Sequence, residues 1–201
     1  LGKKAKCICV AYEGMDRFFP GDRIIHSGNP IRKEIVPSTE QMKEEAYKFY
    51  NHDPQKKHIF IVGGSLGSGT LNNAMMKWIN DGCPGGENVE VIWQCGRYYK
   101  PATDAFMKEV GKSAEGIQYS DFIQRMDLAY AAADIVISRS GASSVSELCA
   151  AHKATIFVPS PNVAEDHQTH NAMALVKKDA AIMIKDKDAD EQLMSTACEL
   201  I

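Results

Sequence analysis

The chain has 201 residues, 44 % hydrophobic and 24 % charged, which excludes disorder, collagen and coiled coil as its main content. At roughly 150 residues per domain, this length allows one sizeable core and part of a second. The net charge of −3 excludes a chain-wide basic surface for nucleic acid, and no run approaches the ~18 apolar residues of a membrane span.

Short apolar runs alternate with amphipathic stretches. Ile8 to Ala11 and Ile24 to His26 read as short strands, too few for a core of their own. Ser38 to Tyr50 reads as a helix with Met42, Ala46 and Phe49 on one face and Ser38 as its cap. The strand Ile59 to Val62 follows, then a helix over Leu71 to Ile79 that Gly82 to Gly86 stops. Val89 to Gln94 is a strand, Pro101 to Val110 a helix with Pro in its first turn, and Ile117 to Tyr119 a short strand. Helix Arg125 to Ala133, strand Ile135 to Ser138, helix Ser143 to Ala151 and strand Thr155 to Val158 come next. Helix Gln168 to Lys177, strand Ala181 to Ile184 and helix Asp188 to Leu200 complete the chain. This order predicts an α/β fold, a Rossmann-like, doubly wound, mostly parallel sheet with helices on both faces. Ligands of such sheets sit on the loops leading from strands into helices.

Six cysteines, Cys7, Cys9, Cys83, Cys95, Cys149 and Cys198, form no C-x-x-C pair, and no signal-peptide pattern opens the chain. Buried reduced thiols of a cytosolic protein are expected, because a core of this size needs no disulfide staples. The opening Leu1, in place of Met, is expected of a processed product or a piece of a longer protein.

Three strand-to-helix loops carry the chemistry. The first is Gly63-Gly64-Ser65-Leu66-Gly67-Ser68-Gly69. Its glycines allow sharp turns and close approach of N–H groups to an anion, and the helix behind adds partial positive charge. It is not a Walker A loop, and Gln94-Cys95-Gly96 lacks the acidic residue that a dinucleotide fold uses on ribose. The second is Ser138-Arg139-Ser140-Gly141-Ala142-Ser143-Ser144-Val145-Ser146-Glu147. Here Glu147 either completes a capping box with Ser144 or points into a cleft and accepts from ribose hydroxyls. The third runs from Pro159 through Glu165-Asp166-His167-Gln168-Thr169-His170-Asn171. Its alternatives are a polar helix start capped by Asp166 and a row of groups for sugar hydroxyls. His167 and His170 share a helix face but lack a third nearby Cys or His, so no metal is expected there. Asp186, Asp188 and Asp190 fail as a calcium loop, with Glu191 sixth and Ala197 twelfth, and are expected to solvate a helix start.

Taken in order, Ser27-Gly28-Asn29-Pro30-Ile31-Arg32, the stretch from Gly63 to Ala74, Tyr119-Ser120-Asp121-Phe122-Ile123, Ser138 to Glu147, Val158-Pro159 and Asp166 to Ala172 form a series. The series resembles the MurG family, bacterial transferases of N-acetylglucosamine from UDP-GlcNAc to undecaprenyl-pyrophosphoryl-MurNAc-pentapeptide. That resemblance implies the C-terminal, donor-binding domain of a two-domain GT-B glycosyltransferase of peptidoglycan synthesis. The whole enzyme would be peripheral on the cytoplasmic face of the inner membrane. Residues 1–36 would be a remnant of the acceptor domain and the linker, and residues 37–201 the UDP-GlcNAc domain.

By the same resemblance, Arg32 approaches the donor diphosphate and Ser65 bonds a phosphate beside Gly63, Gly64 and Gly67. Phe122 and Ile123 lie at the uracil, with backbone groups of Ile123 reading its edge. Ala142, Ser143 and Ser144 open a helix toward the diphosphate, and Glu147 holds the ribose hydroxyls. His167 and Gln168 face the GlcNAc hydroxyls, with Asn171 supporting the loop. No cofactor or metal is implied, and no nucleic acid. The lipid-linked acceptor and the base belong to the domain not represented here, so this part is expected to bind donor without catalysing. The alternatives are a UDP-sugar-binding subunit of a split glycosyltransferase and a non-catalytic nucleotide-sugar sensor, with a nicotinamide oxidoreductase behind them.

Overall fold

A computed structural model describes residues 4–11, 13–163 and 166–201. The chain runs β1 (Ile8–Val10), β2 (Ile24–His26), α1 (Glu40–Tyr50), β3 (Lys57–Val62), α2 (Gly69–Asn80), β4 (Val89–Gln94), α3 (Lys100–Val110) and β5 (Ile117–Ser120). It continues α4 (Met126–Ala132), β6 (Ile135–Ser138), α5 (Ala142–Ala150), β7 (Ala154–Phe157), α6 (His167–Val176), β8 (Ile182–Met183) and α7 (Ala189–Glu199). Six strands form one parallel sheet in the order β5-β4-β3-β6-β7-β8. This is the doubly wound α/β architecture that the alternation predicts. β1 and β2 pair in parallel with each other, in a separate two-stranded sheet.

The central strands are apolar because both faces are covered. On one face Ile59, Ile61, Val91, Trp93 and Ile137 pack under α2 and α7, through Leu71, Met75, Ile79 and Leu193. On the other, Phe60, Ile92, Val136 and Phe157 pack under α1, α4, α5 and α6, through Ala46, Tyr130, Leu148 and Ala172. Ile35 joins that second core, so packing onto the large sheet already involves the segment before α1.

Local capping departs from the sequence pattern at three helices. Thr39, not Ser38, caps α1, its hydroxyl accepting from the Met42 N–H at 3.2 Å, while Ser38 Oγ is buried without a hydrogen bond. At α5 the N-cap is Gly141, so Ser144 lies inside the helix and the capping box with Glu147 does not form. Asp166 precedes α6, but its carboxylate accepts from Thr169 Oγ1 at 2.6 Å and makes no cap bond to the backbone. The thiols also depart from expectation. All six are free, but Cys95 alone is buried, and Cys7, Cys9 and Cys149 are exposed.

Sheet order fixes where a ligand belongs. From β3 the chain builds outward through β4 and β5, then returns to the other side of β3 as β6. The loops after β3 and β6 therefore diverge to opposite faces and leave a crevice at the carboxyl ends of these strands.

Candidate functional site

The Gly-rich loop leaves β3 and is pressed against the turn after β4. Gly67 has φ +91° and Gly96 φ +86°, and a Cβ on Gly96 would lie 2.2 Å from the Gly67 Cα. Both positions require glycine for backbone conformation and for space. Gly64 also has a positive φ, +88°, but a Cβ there would meet open space. Ser68 ends the loop and caps α2, its Oγ accepting from the Leu71 N–H at 3.3 Å. Buried Asn72 anchors this turn by donating to the Cys95 carbonyl and accepting from Trp93 Nε1, each at 2.9 Å.

Gln94, at the end of β4, joins two of the loops. Its Nε2 donates to the Gly64 carbonyl and its Oε1 accepts from the Ile123 N–H, both at 2.9 Å. The Ile123 N–H is thus committed to Gln94, which leaves the Ile123 carbonyl as that residue's backbone group for a base edge. Phe122 beside it is exposed, with the Arg97 guanidinium 5.6 Å from its ring centroid. Replacing Gln94 by Leu keeps the volume and strands one buried N–H and one carbonyl. We expect this to cost about 2–4 kcal/mol of stability in urea unfolding. A loss below about 0.5 kcal/mol would mean that water satisfies both groups.

At α5 the first helical bond runs from the Val145 N–H to the Gly141 carbonyl, 2.9 Å. The N–H groups of Ala142, Ser143 and Ser144 precede it and carry the positive end of the helix dipole. Asn29 straps the segment before α1 to this end, its Nδ2 donating to the Ala142 carbonyl at 3.3 Å and to Ser146 Oγ at 3.0 Å. One turn on, Arg32 forks onto Glu147, with Nε to Oε1 at 2.9 Å and Nη2 to Oε2 at 2.6 Å. The Tyr130 hydroxyl donates to Oε2 at 3.5 Å, and burial, with Glu147 next to it, pushes that phenol's pKa up. The bond to Glu147 likewise holds Arg32 above its ordinary range.

The third loop is tied to the second. Ser140 Oγ donates to the Gln168 carbonyl at 2.8 Å, and Asn171 Nδ2 donates to the Ser140 carbonyl at 3.0 Å. Gln168 Oε1 accepts from the Ser160 N–H at 2.9 Å. Arg139 donates to the carbonyls of Val158 and Pro159 and pairs with Asp186, whose other oxygen accepts from Thr70 Oγ1 at 3.0 Å. Asp186 is therefore a strut between β6, α2 and the last strand's exit, not a solvating group at a helix start.

The three loops enclose a polar cleft of about 490 Å³. Gly63, Gly64, Gly67, Ser144 and Gln168 line it, as do Ser68, Gly69, Gly141, Tyr99 and Arg139, which the sequence reading does not select. The N-termini of α2, α5 and α6 converge here, a setting for anionic oxygens. Ser65 is at the exposed loop tip, its carbonyl accepting from the Arg97 N–H at 3.4 Å. Arg32, Ile123, Ala142, Ser143, Glu147 and His167 do not line the cleft, and His167 and His170 are exposed on α6. Glu165 lies outside the described residues. Arg139 and Gln94 escape a motif reading because their partners come from other loops.

Comparison with known proteins places the chain in a family. The curated UDP-N-acetylglucosamine--N-acetylmuramyl-(pentapeptide) pyrophosphoryl-undecaprenol N-acetylglucosamine transferase of Parabacteroides distasonis is 51 % identical over 201 residues, covering 100 % of this chain and 53 % of the relative. The transferase of the same name from Bacteroides thetaiotaomicron is 47 % identical over 207 residues, with the same two coverages. The crystal structure of Acinetobacter baumannii MurG superposes with a TM-score of 0.66 at 28 % identity, covering 99 % of this chain and 54 % of that one. The chain thus spans about half the length of the curated relatives it matches. The profile of the glycosyltransferase family 28 C-terminal domain matches residues 58–201. With that match, and with three glycine- and hydroxyl-rich loops gathered around one crevice, the chain belongs to the glycosyltransferase family 28 C-terminal domain family.

Proposed function

We propose that the cleft binds UDP-GlcNAc, and that the protein is the donor-binding part of an N-acetylglucosaminyltransferase acting on undecaprenyl-pyrophosphoryl-MurNAc-pentapeptide, lipid I to lipid II. The observation that carries this is the convergence of the α2, α5 and α6 N-termini on one polar cleft at the β3/β6 switch point. The relatives' printed activity supports the choice of donor and acceptor.

In the proposed reaction the muramyl 4-hydroxyl attacks C1 of GlcNAc and the bond from C1 to the UDP oxygen breaks. Positive charge develops on the sugar and negative charge on the leaving diphosphate. Open N–H groups of α2 and α5 meet that negative charge with no reorganisation at the moment of reaction. Glu147, one turn along α5 from the cleft-lining Ser144, takes the ribose hydroxyls at the edge of the cleft. Arg32 uses one lone pair of each Glu147 oxygen, and Tyr130 a further one of Oε2, so Oε1 keeps an accepting site. Arg32 holds that carboxylate from outside the cleft lining, and its positive charge favours the diphosphate side of the site. Phe122 and Ile123 bound the uracil, and His167 and Gln168 the GlcNAc. The acceptor site and the base that takes the hydroxyl proton belong, in this proposal, to the part of the relatives' length beyond this match. An undecaprenol-linked acceptor places the reaction at a membrane surface, proposed as the cytoplasmic face. Among the described residues no helix is long and apolar enough to cross a membrane.

Gln168→Ala tests the sugar side. It should narrow the affinity gap between UDP-GlcNAc and UDP by about 1 kcal/mol and leave UDP nearly unchanged. Equal losses for UDP and UDP-GlcNAc would place Gln168 away from the sugar.

A further inference from the structure

At the opposite end of the sheet from the donor cleft, three ligand-type side chains meet in the interior. His52 follows α1, His58 is the second residue of β3 and Glu90 the second of β4. Four residues of strand, roughly 13 Å, separate His58 from the Gly-rich loop. His58 Nε2 lies 3.4 Å from Glu90 Oε2, and His52 Nδ1 lies 3.8 Å from the same oxygen. One ligand atom from each of the three lies within 4.8 Å of the others. Both imidazole side chains are 1 % exposed, yet none of their four nitrogens has a hydrogen-bond partner. Buried polar atoms left this way cost free energy unless something binds them.

We propose that His52, His58 and Glu90 form a site for one divalent first-row transition ion, with zinc as the expected occupant. Two imidazoles and one carboxylate are a three-ligand set that zinc accepts, with a fourth position open. A tetrahedral ion with bonds of about 2.0–2.2 Å has ligand edges of about 3.3–3.6 Å, within a few tenths of an ångström of the two separations to Glu90. The surroundings have the form of an outer shell. The Asp53 N–H donates to Glu90 Oε2 at 2.8 Å, and Lys56 Nζ approaches Oε1 at 3.3 Å, which orients the carboxylate. The other ring nitrogen of His58 faces Asp134 Oδ2 at 3.8 Å, the direction of a carboxylate–histidine–metal triad. Tyr47 stacks on His58 at 4.7 Å between centroids, and His58 on His52 at 5.1 Å, fixing both rings. A surface cleft of about 360 Å³, lined by Glu44, Tyr47, Lys48, Asn51, His52 and Pro54, lies beside the cluster at His52. The ion would tie the exit of α1 to the starts of β3 and β4 and take no part in transfer.

The test uses the protein stripped with EDTA and returned to ZnCl2 or CoCl2. We expect about one equivalent of tightly held zinc and a raised Tm, because the ion binds the folded state. We also expect a tetrahedral cobalt spectrum lacking a thiolate charge-transfer band. The double variant His52→Phe with His58→Phe keeps the stacking and removes the orphan nitrogens. Its metal-free Tm should equal or exceed that of the parent, and zinc should no longer raise it. No zinc-dependent shift in the parent, an equal shift in the double variant, or a thiolate band in the cobalt spectrum would each overturn the site. Should the double variant not fold, the parent's cobalt spectrum decides.

Discussion

Gly96→Ala should destabilise the protein by about 2–4 kcal/mol in denaturant unfolding. An L-residue at a φ near +86° costs about 1 kcal/mol, and forcing a methyl into a packed interior adds about 1–3 kcal/mol. The new Cβ would stand 2.2 Å from Gly67 Cα and N and 2.4 Å from the Leu66 carbonyl carbon. These are backbone atoms, so relief requires moving the whole Gly-rich loop, and donor affinity should fall along with stability. Gly64→Ala is the control. Its φ of +88° is equally unusual for an L-residue, but its Cβ enters open space at the cleft. It should cost only about 1 kcal/mol of stability. A Gly96→Ala protein as stable as the Gly64→Ala protein would show that the two loops do not bear on each other as described.

The second large effect belongs to Glu147. Glu147→Ala should weaken UDP by about 1–3 kcal/mol, the usual worth of hydrogen bonds to a charged group. Helix α5 should persist, because Gly141 is its N-cap and Glu147 supplies no cap bond. Stability should fall by only about 1–2 kcal/mol, since the Arg32 side chain left behind is 39 % exposed and regains water. Glu147→Gln, measured beside it, keeps a carbonyl oxygen and should recover part of the loss. A UDP affinity unchanged per folded molecule in Glu147→Ala would reduce Glu147 to a partner for Arg32.

How far this was legible depends on whether a signal is local. Every strand from β3 onward sits where an apolar run announces it, and the Gly-rich loop follows β3 as the pattern requires. Helix ends were less legible, because Ser38 and Thr39 are chemically equivalent as caps and backbone geometry chooses between them. Glu147 is the instructive case. Its spacing from Ser144 satisfies a capping pattern, yet Gly141 starts the helix one turn earlier and leaves Glu147 for Arg32, far away in the chain. The same holds for Gln94, Arg139 and Asp186, whose roles lie in bonds between loops that no spacing encodes. His52, His58 and Glu90 are scattered in sequence and adjacent only because β3 and β4 pair with His58 opposite Glu90.

The most direct test of the donor assignment is calorimetric titration of the protein with UDP-GlcNAc, with ADP-glucose run in parallel. Saturable binding at one site, displaced by UDP, is expected, with ADP-glucose weaker by about tenfold or more, because it lacks both the uracil proposed to meet Phe122 and Ile123 and the N-acetyl group of the proposed donor. Absence of saturable heat with UDP-GlcNAc at millimolar concentration, or equal affinity for both nucleotide sugars, would contradict it.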